Sequence, residues 1–355
     1  SIFATMLSAI TFMAIPAKAY VSNMNAWIGM WPMVIIIPLV VYYYLPFFRK
    51  LNVTSAYEFL EQRFNLASRL IASALFMLFH VGRIAIVLYL PALALSSVTD
   101  IDIYLAILSI GILCIVYTVM GGLEAVVWTD AIQAIVLLGG ALLCIIVIVF
   151  QMDGGLGAII NVAQADSKIL TVDWGTLDFG SSTNSAWVIL AGFMFASLPS
   201  YTAGQDVVQR YVSTPTEKEA ARSLWLNMPM AILGSLLFFS LGVALYAFYQ
   251  TQPALLDPAM ERNDGILPFF ILQNLPVGVS GLIVAGIFAA AQSTISSSLN
   301  SVATAYVTDF HGRVLKPESS DGERLQVAKR VVLILGVIGI SVAALIAYTG
   351  MKSAF

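Results

Sequence analysis

The stretch 289-AAAQSTISSSLNSVAT-304 lies inside an apolar run that opens near Val279. Within it come Ser293, Thr294, Ser296, Ser297, Ser298, Asn300, Ser301 and Thr304, and none of them carries a charge. At about 100° per residue, Ala290, Ser293, Thr294, Ser297 and Ser301 share one broad face of a helix, with Ser296 at its edge. In a lipid bilayer such a face is a ladder of uncharged oxygens, and a hard cation such as Na⁺ takes carbonyl and hydroxyl oxygens of this kind. The same pattern also suits a helix packed by small residues whose hydroxyls bond back to their own carbonyls. On this stretch alone both readings stay open.

Composition sets the frame around it. Hydrophobic residues make up 59% of the 355 and charged residues 10%, with a mean hydropathy of +0.90. A soluble globular chain carries roughly 25% charge, so the sequence reads as an all-α, polytopic membrane protein embedded in the lipid bilayer. A net charge of −3 argues against a nucleic-acid partner. Cys114 and Cys144 both fall in apolar runs and read as small buried hydrophobic residues. His80 and His311 are too far apart for a zinc-site spacing. The chain opens and closes abruptly in apolar sequence, which is expected of a piece of a longer polypeptide.

About 20 apolar residues are needed per span, and nine segments qualify: 1–16, 27–48, 66–98, 101–120, 123–150, 186–203, 224–249, 279–307 and 327–348. The first is too short to cross alone and is interrupted by Ser1, Thr5, Ser8 and Thr11, so it is expected to be half of a broken helix ending near Pro16. A Gly-Gly turn at Gly121 and Gly122 separates the fourth and fifth. A short amphipathic piece at 55–64 has Ser55 and Glu58 placed as a capping box, and 266–272 reads as a short surface helix. Arg49, Lys50, Arg63, Arg69, Arg210, Lys218, Arg222, Arg313, Lys316, Arg324, Lys329 and Arg330 fall at alternate connections, which makes those connections cytoplasmic. The opposite side holds Lys18, Lys168, Arg262 and Lys352.

The order suggests a duplication with inverted topology: a first repeat over 1–150, an extracellular loop over 151–185, and a second repeat over 186–355 that lacks its last helix. Inverted repeats with a broken first helix place ion and solute sites where the repeats meet. Two charges stand inside spans. Arg83, about 17 residues into the third, faces a cavity or a partner, and a guanidinium there suits a carboxylate through two parallel hydrogen bonds; pairing with an internal acid is the alternative. Asp130, early in the fifth, reads as a cation ligand, a proton carrier or an interfacial acid. Gln205, Asp206, Gln209 and Arg210 read as no more than a polar cytoplasmic helix end.

These residues carry a resemblance. GGLEAVVWTD at 121–130, preceded by Tyr117 and Thr118, resembles the signature of the sodium/solute symporter family, AAAQSTISSSLNS at 289–301 is similar to its sodium-site helix, and QDVVQR at 205–210 is similar to its sixth-helix ending. SIFATMLSAITFMAIPAKAY at 1–20 and FHVGR at 79–83 most resemble the bacterial sodium-coupled sialic acid symporter branch. The resemblance implies a leucine-transporter-type fold of five-plus-five inverted repeats working by alternating access, with Na⁺ as coupling ion and no organic cofactor. It implies a shared sodium site from main-chain oxygens of Ala4, Leu7 and Ala290 with the hydroxyls of Ser293 and Thr294. A second sodium site, present in part of the family, would use Asp130, Ser296 and Ser297, helped by Ser293.

For the solute, Arg83 would hold a carboxylate and Ser8 and Thr11 would touch it or the adjoining groups. Met6, Ala26 and Met30 stand where sialic acid binders are expected to show a hydroxyl, an aromatic and an amide, and each lost polar contact costs about 1 kcal/mol. The expectation is a symporter importing sialic acid or a related acidic sugar across the bacterial inner membrane, as a monomer. A neutral-sugar symporter and a symporter-like solute sensor are the alternatives. No constellation of His, Asp or Glu for covalent chemistry is seen, so no enzyme is expected.

Overall fold

The computed structural model describes residues 9–51, 53–96, 99, 101–175, 185–256 and 265–349, with the side chains of residues 9, 10, 121–130 and 212 excepted. Its elements are α1 (Ala9–Val21), α2 (Asn25–Leu51), α3 (Glu58–Arg63), α4 (Leu66–Ser96), α5 (Ile103–Met120), α6 (Ala131–Gln151) and α7 (Gly155–Ala165). They are followed by α8 (Ala186–Thr202), α9 (Gln205–Ser213), α10 (Glu217–Thr251), α11 (Ile266–Asn274), α12 (Val277–Ala305) and α13 (Asp321–Tyr348). Among the described residues no sheet forms, and one isolated bridge joins Asp173 to Ser185. Among the described residues seven helices are long and apolar enough to cross a membrane, and α8 with α9, bent by 54° at their junction, makes an eighth if taken as one span.

The bundle is apolar outside as well as in its core. Ile71, Leu75, Leu78 and Phe79 of α4 and Leu333, Ile334 and Val337 of α13 are exposed, while Ser293, Ser296, Ser297, Ser298 and Ser301 of α12 are buried beside that core. A large exposed apolar surface suits a lipid solvent, in which the outward face needs no water contact.

Residues Ile103–Gln151 are helical throughout, yet a straight helix of that length would run to roughly 70 Å, more than twice the ~30 Å hydrocarbon core. The packing resolves this. Tyr117 of α5 meets Gln292 and Ser296 of α12 and Cys114 meets Gln292, so α5 runs parallel to α12. On α6, Val136 and Leu137 lie against Gly286, while Gly140 faces Ile283, so α6 runs antiparallel. The stretches 103–120 and 131–151 therefore run in opposite directions; the expected Gly-Gly turn falls among residues 121–130, whose side chains lie outside the described residues.

Other segments depart from expectation. Helix α1 continues past Pro16 to Val21, and the bare Cα of Gly242 on α10 lies close against the Pro16 carbonyl. No residue larger than glycine fits there. Whether the helix breaks before Ala9 falls outside the described residues. Helix α2 carries a π-helical stretch, Val40–Tyr44, between Pro38 and Pro46, where the missing proline N–H groups disturb the regular ladder. The 151–185 connection contains a helix of its own, α7. Helix α11 is not a surface helix: Ile266, Leu267, Phe270 and Ile271 are buried against α1, α10 and α12. Helix α12 runs on as a π-helical segment, Tyr306–Leu315.

Three glycines set the spacing of α4, α5 and α13. Ile340 of α13 sits over Gly111 of α5, Ile115 of α5 over Gly336 of α13, and Ile84 of α4 over Gly339 of α13, each so close that a methyl on the glycine would overlap the isoleucine. A second packing unit joins α2, α9 and the start of α10 through Ile36, Ile37, Leu45, Val207, Tyr211 and Leu224. Opposite the basic end, Lys168 donates to the carbonyls of Tyr20 at 2.8 Å and Val21 at 3.0 Å. Its cation thereby satisfies the C-terminal carbonyls of α1, where the helix dipole is negative.

The basic residues gather at the other end. Arg49 closes α2 onto the end of α9 through the carbonyls of Tyr211, Thr214 and Pro215. Arg69 of α4 donates to Asp309 at 2.7 Å and to Glu61 at 2.8 Å, and Arg313 grips Glu61 at 2.6 Å. The capping box forms with a shifted partner: Glu58 accepts from the Ser55 N–H at 2.8 Å, and the Ser55 hydroxyl oxygen accepts from the Tyr57 N–H at 3.2 Å rather than from Glu58. The hydroxyl proton, which capping does not use, goes to Asp309 at 2.9 Å, a charged acceptor.

Two predictions follow from this cluster. Asp309→Ala leaves Arg69 buried with less compensation, so unfolding in detergent micelles should show a loss of about 3–5 kcal/mol; a change within experimental error would mean water reaches Arg69. The Arg313 and Arg69 guanidinium groups, in that order, hold the Glu61 carboxyl down from 4.5 to about 2. A depressed carboxyl stabilises above its unfolded value and loses that contribution as pH falls through the folded one. The stability difference between wild type and Glu61→Gln should therefore be flat above about pH 5 and close between 4.5 and about 2; a gap that persists at the acid end would place its origin elsewhere.

Candidate functional site

The hydroxyl ladder of α12 is buried along its length. Thr294 donates to the carbonyl of Ala290 at 3.2 Å and Ser296 to that of Ser293 at 3.0 Å. The back-bonded arrangement is thus present, but it does not exclude the cation arrangement. A hydroxyl that gives its one proton to a carbonyl keeps its oxygen lone pairs, and fixing the proton fixes where those lone pairs point. Tyr117 adds a second layer, its phenol 3.1 Å from the Gln292 carbonyl and 2.5 Å from the Ser296 oxygen.

Helix α9 supplies what the sequence reading did not anticipate. Gln205 reaches back to the loop before α3, accepting from the Ala56 N–H at 2.7 Å and donating to the Thr54 carbonyl at 2.9 Å. Arg210, itself buried, donates to Ser297 at 3.2 Å. Gln209 bonds Thr304 at 3.3 Å and accepts from Ser301 at 3.4 Å. Asp206 pairs with Arg83 at 3.2 Å. Residues 206, 209 and 210 stand at i, i+3 and i+4 and so share a helix face; that spacing in QDVVQR was the available signal that this end is an interior face.

Arg83 is partly open, its side chain 26% exposed against 7% for Arg69. Its partner among the described residues is Asp206, so the internal-acid alternative is realised, through a single N–H. The remaining donors of the planar fork are not used by that contact. Ala26 and Met30 lie on the 3₁₀ turn Asn25–Met30 that opens α2, packed against α8 and α10, and Thr11 is half-buried on α1. Ala290, Ser293, Thr294, Ser296 and Ser297 are brought together on α12. Ala4, Met6, Leu7 and Ser8 lie outside the described residues, as does the side chain of Asp130. Cys114 and Cys144 are free and buried. Among the described residues no cluster of His, Cys, Asp and Glu suits a transition metal.

Comparison with known proteins gives a consistent picture. The model of the sodium:solute symporter family matches residues 1–353. The sodium/sialic acid symporter SiaT of Proteus mirabilis (strain HI4320) is 48% identical over 338 residues, covering 95% of this chain and 67% of the relative. The sodium/sialic acid symporter NanT of Aliivibrio fischeri (strain ATCC 700601 / ES114) is 45% identical over 340 residues, covering 96% and 66%. A solved structure described as the substrate-bound outward-open state of a Na⁺-coupled sialic acid symporter superposes with a TM-score of 0.93 at 46% identity, over 98% of this chain and 73% of that one. The chain spans about two thirds of the length of the two curated relatives.

Proposed function

The chain belongs to the sodium:solute symporter family, and on that premise we propose that it forms the ion- and solute-binding part of a sodium-coupled importer of an acidic sugar of the sialic acid class. One observation carries the reading: a mid-span guanidinium, Arg83, is open on one side, and a buried, uncharged hydroxyl face on α12 lies across α9 from it. A guanidinium fork matches a carboxylate, and the hydroxyl face matches Na⁺. Among the described residues the buried carboxylates Asp206 and Asp309 are held in ion pairs.

In this reading 1–150 and 186–355 are inverted repeats of the five-plus-five kind, with about nine membrane helices in the chain and 151–185 between the repeats on the outer side. The shared sodium sits between carbonyls of Ala4, Leu7 and Ala290 and the hydroxyls of Ser293 and Thr294. Ser297 receives the Arg210 guanidinium, so a second sodium at Ser296 and Ser297 needs a carboxylate to offset that charge, and Asp130 is the residue to supply it. Solute contacts are Arg83, Ser8 and Thr11, with Met6, Ala26 and Met30 forming a less polar wall. The sodium gradient biases the outward-facing population, which binds solute more tightly, and inward release of sodium lowers solute affinity. The protein is placed in a bacterial inner membrane as a multi-pass monomer. The apolar wall at Ala26 and Met30 supports a competing solute, another sugar acid or a neutral sugar.

The test is uptake of labelled sialic acid by the full-length protein in proteoliposomes with and without an inward sodium gradient. Sodium-driven uptake that neutral sugars do not block is expected; uptake indifferent to sodium would sink the coupling, and block by a neutral sugar would move the solute. Arg83→Lys should weaken acidic solute about tenfold more than a neutral analogue, as loss of a charge-assisted hydrogen bond implies, whereas equal losses would make Arg83 structural. Thr294→Ala should raise the half-saturating sodium concentration several-fold, about 1 kcal/mol of lost coordination; an unchanged value would place the shared site elsewhere.

A further inference from the structure

We infer that Asp206 is a displaceable counter-ion, a built-in occupant of the position that a solute carboxylate takes on Arg83. This rests on the reading of Arg83 as the carboxylate anchor, and it names a residue that the reading itself does not use. The observation is the character of the ion pair. Arg69 and Arg313 hold their acids at 2.6–2.8 Å, each guanidinium bonding through more than one nitrogen. Arg83 holds Asp206 at 3.2 Å through one nitrogen, longer than the usual ~2.7–2.9 Å of a charge-assisted bond, and with more of its side chain open. Of the hydrogen-bonded arginine–carboxylate pairs described, it has the longest closest contact; Arg69 and Glu58 stand 3.9 Å apart.

Asp206 is also built to survive losing its partner. It lies in the first turn of α9, where the helix dipole and free N–H groups favour a negative charge. Its other oxygen rests against Gly204, 2.7 Å from where a Cβ would stand. The carboxylate belongs to α9, while Arg83 comes from α4, 123 residues away in sequence. An arriving carboxylate pairs with Arg83 through two nitrogens and draws the guanidinium toward itself, and its repulsion of the Asp206 carboxylate completes the exchange. Without solute, Asp206 keeps a mid-span cation compensated. Affinity for an acidic solute is then set by a competition between two carboxylates, and a neutral solute does not enter it.

The experiment is equilibrium binding to the full-length, detergent-solubilised protein in saturating sodium, using sialic acid and its uncharged methyl ester. Wild-type binding of the acid tests the earlier reading by itself. Asp206→Asn removes the competitor, so the acid's Kd should fall at least threefold while the ester's stays within twofold. Asp206→Glu keeps the charge on a longer arm; it should shift the acid's Kd with the ester's again unmoved, and it serves if the Asn variant does not fold. If both Kd values rise together in either variant, or the acid-to-ester ratio does not change, Asp206 is a structural partner and the inference falls, even where the wild type binds the acid well.

Discussion

Charge inside a low-dielectric bundle has to be compensated where it stands, and that constraint arranges the basic end of this protein. Asp309, fully buried near the end of α12, draws Arg69 from α4 and the Ser55 hydroxyl from the loop before α3. Arg69 in turn holds Glu61 of α3, which holds Arg313. A single buried carboxylate thus fixes three stretches of chain far apart in sequence. The geometry of the ladder above it depends on this anchor, because α12 continues straight into the segment that carries Asp309.

Helix α9 is the counterpart on the other side of the ladder. It enters at an angle after the Gly204 break and presents a polar face inward, so that Asp206 reaches α4 while Gln209 and Arg210 reach α12. Its opposite face, through Val207, Val208 and Tyr211, packs into the cluster shared with α2 and α10. A helix amphipathic in this sense is rare in contact with lipid, where it would expose charge. Here it lies inside the bundle, and its polar residues are answered by polar partners on two neighbours.

Much of the fold was legible because span length and charge bias are one-dimensional signals. The α12 ladder, the mid-span Arg83 and the gathering of basic residues at one end of the bundle all follow from counting along the chain. What was not legible depends on distant partners. Asp206 looked like a solvated helix end because Arg83 is 123 residues away, although its spacing with Gln209 and Arg210 already marked one face. Helix α11 looked superficial because nine residues cannot span a bilayer, and only tertiary packing buries Phe270 and Ile271. The bond from the Ser55 hydroxyl to Asp309 was hidden for the same reason, since a local capping motif does not show that its proton goes to a residue far along the chain.

The isoleucine–glycine notches on α13 have a mechanical meaning. Ile340, Ile115 and Ile84 interlock across α13, α5 and α4 in both directions, so no pair of these helices slides without first lifting a side chain out of its seat. They make a stator. Movement in the bundle is left to parts joined by softer seams, and the bend at Gly204, with helix on either side and a 54° angle between the arms, is the natural bearing on which such a part would turn.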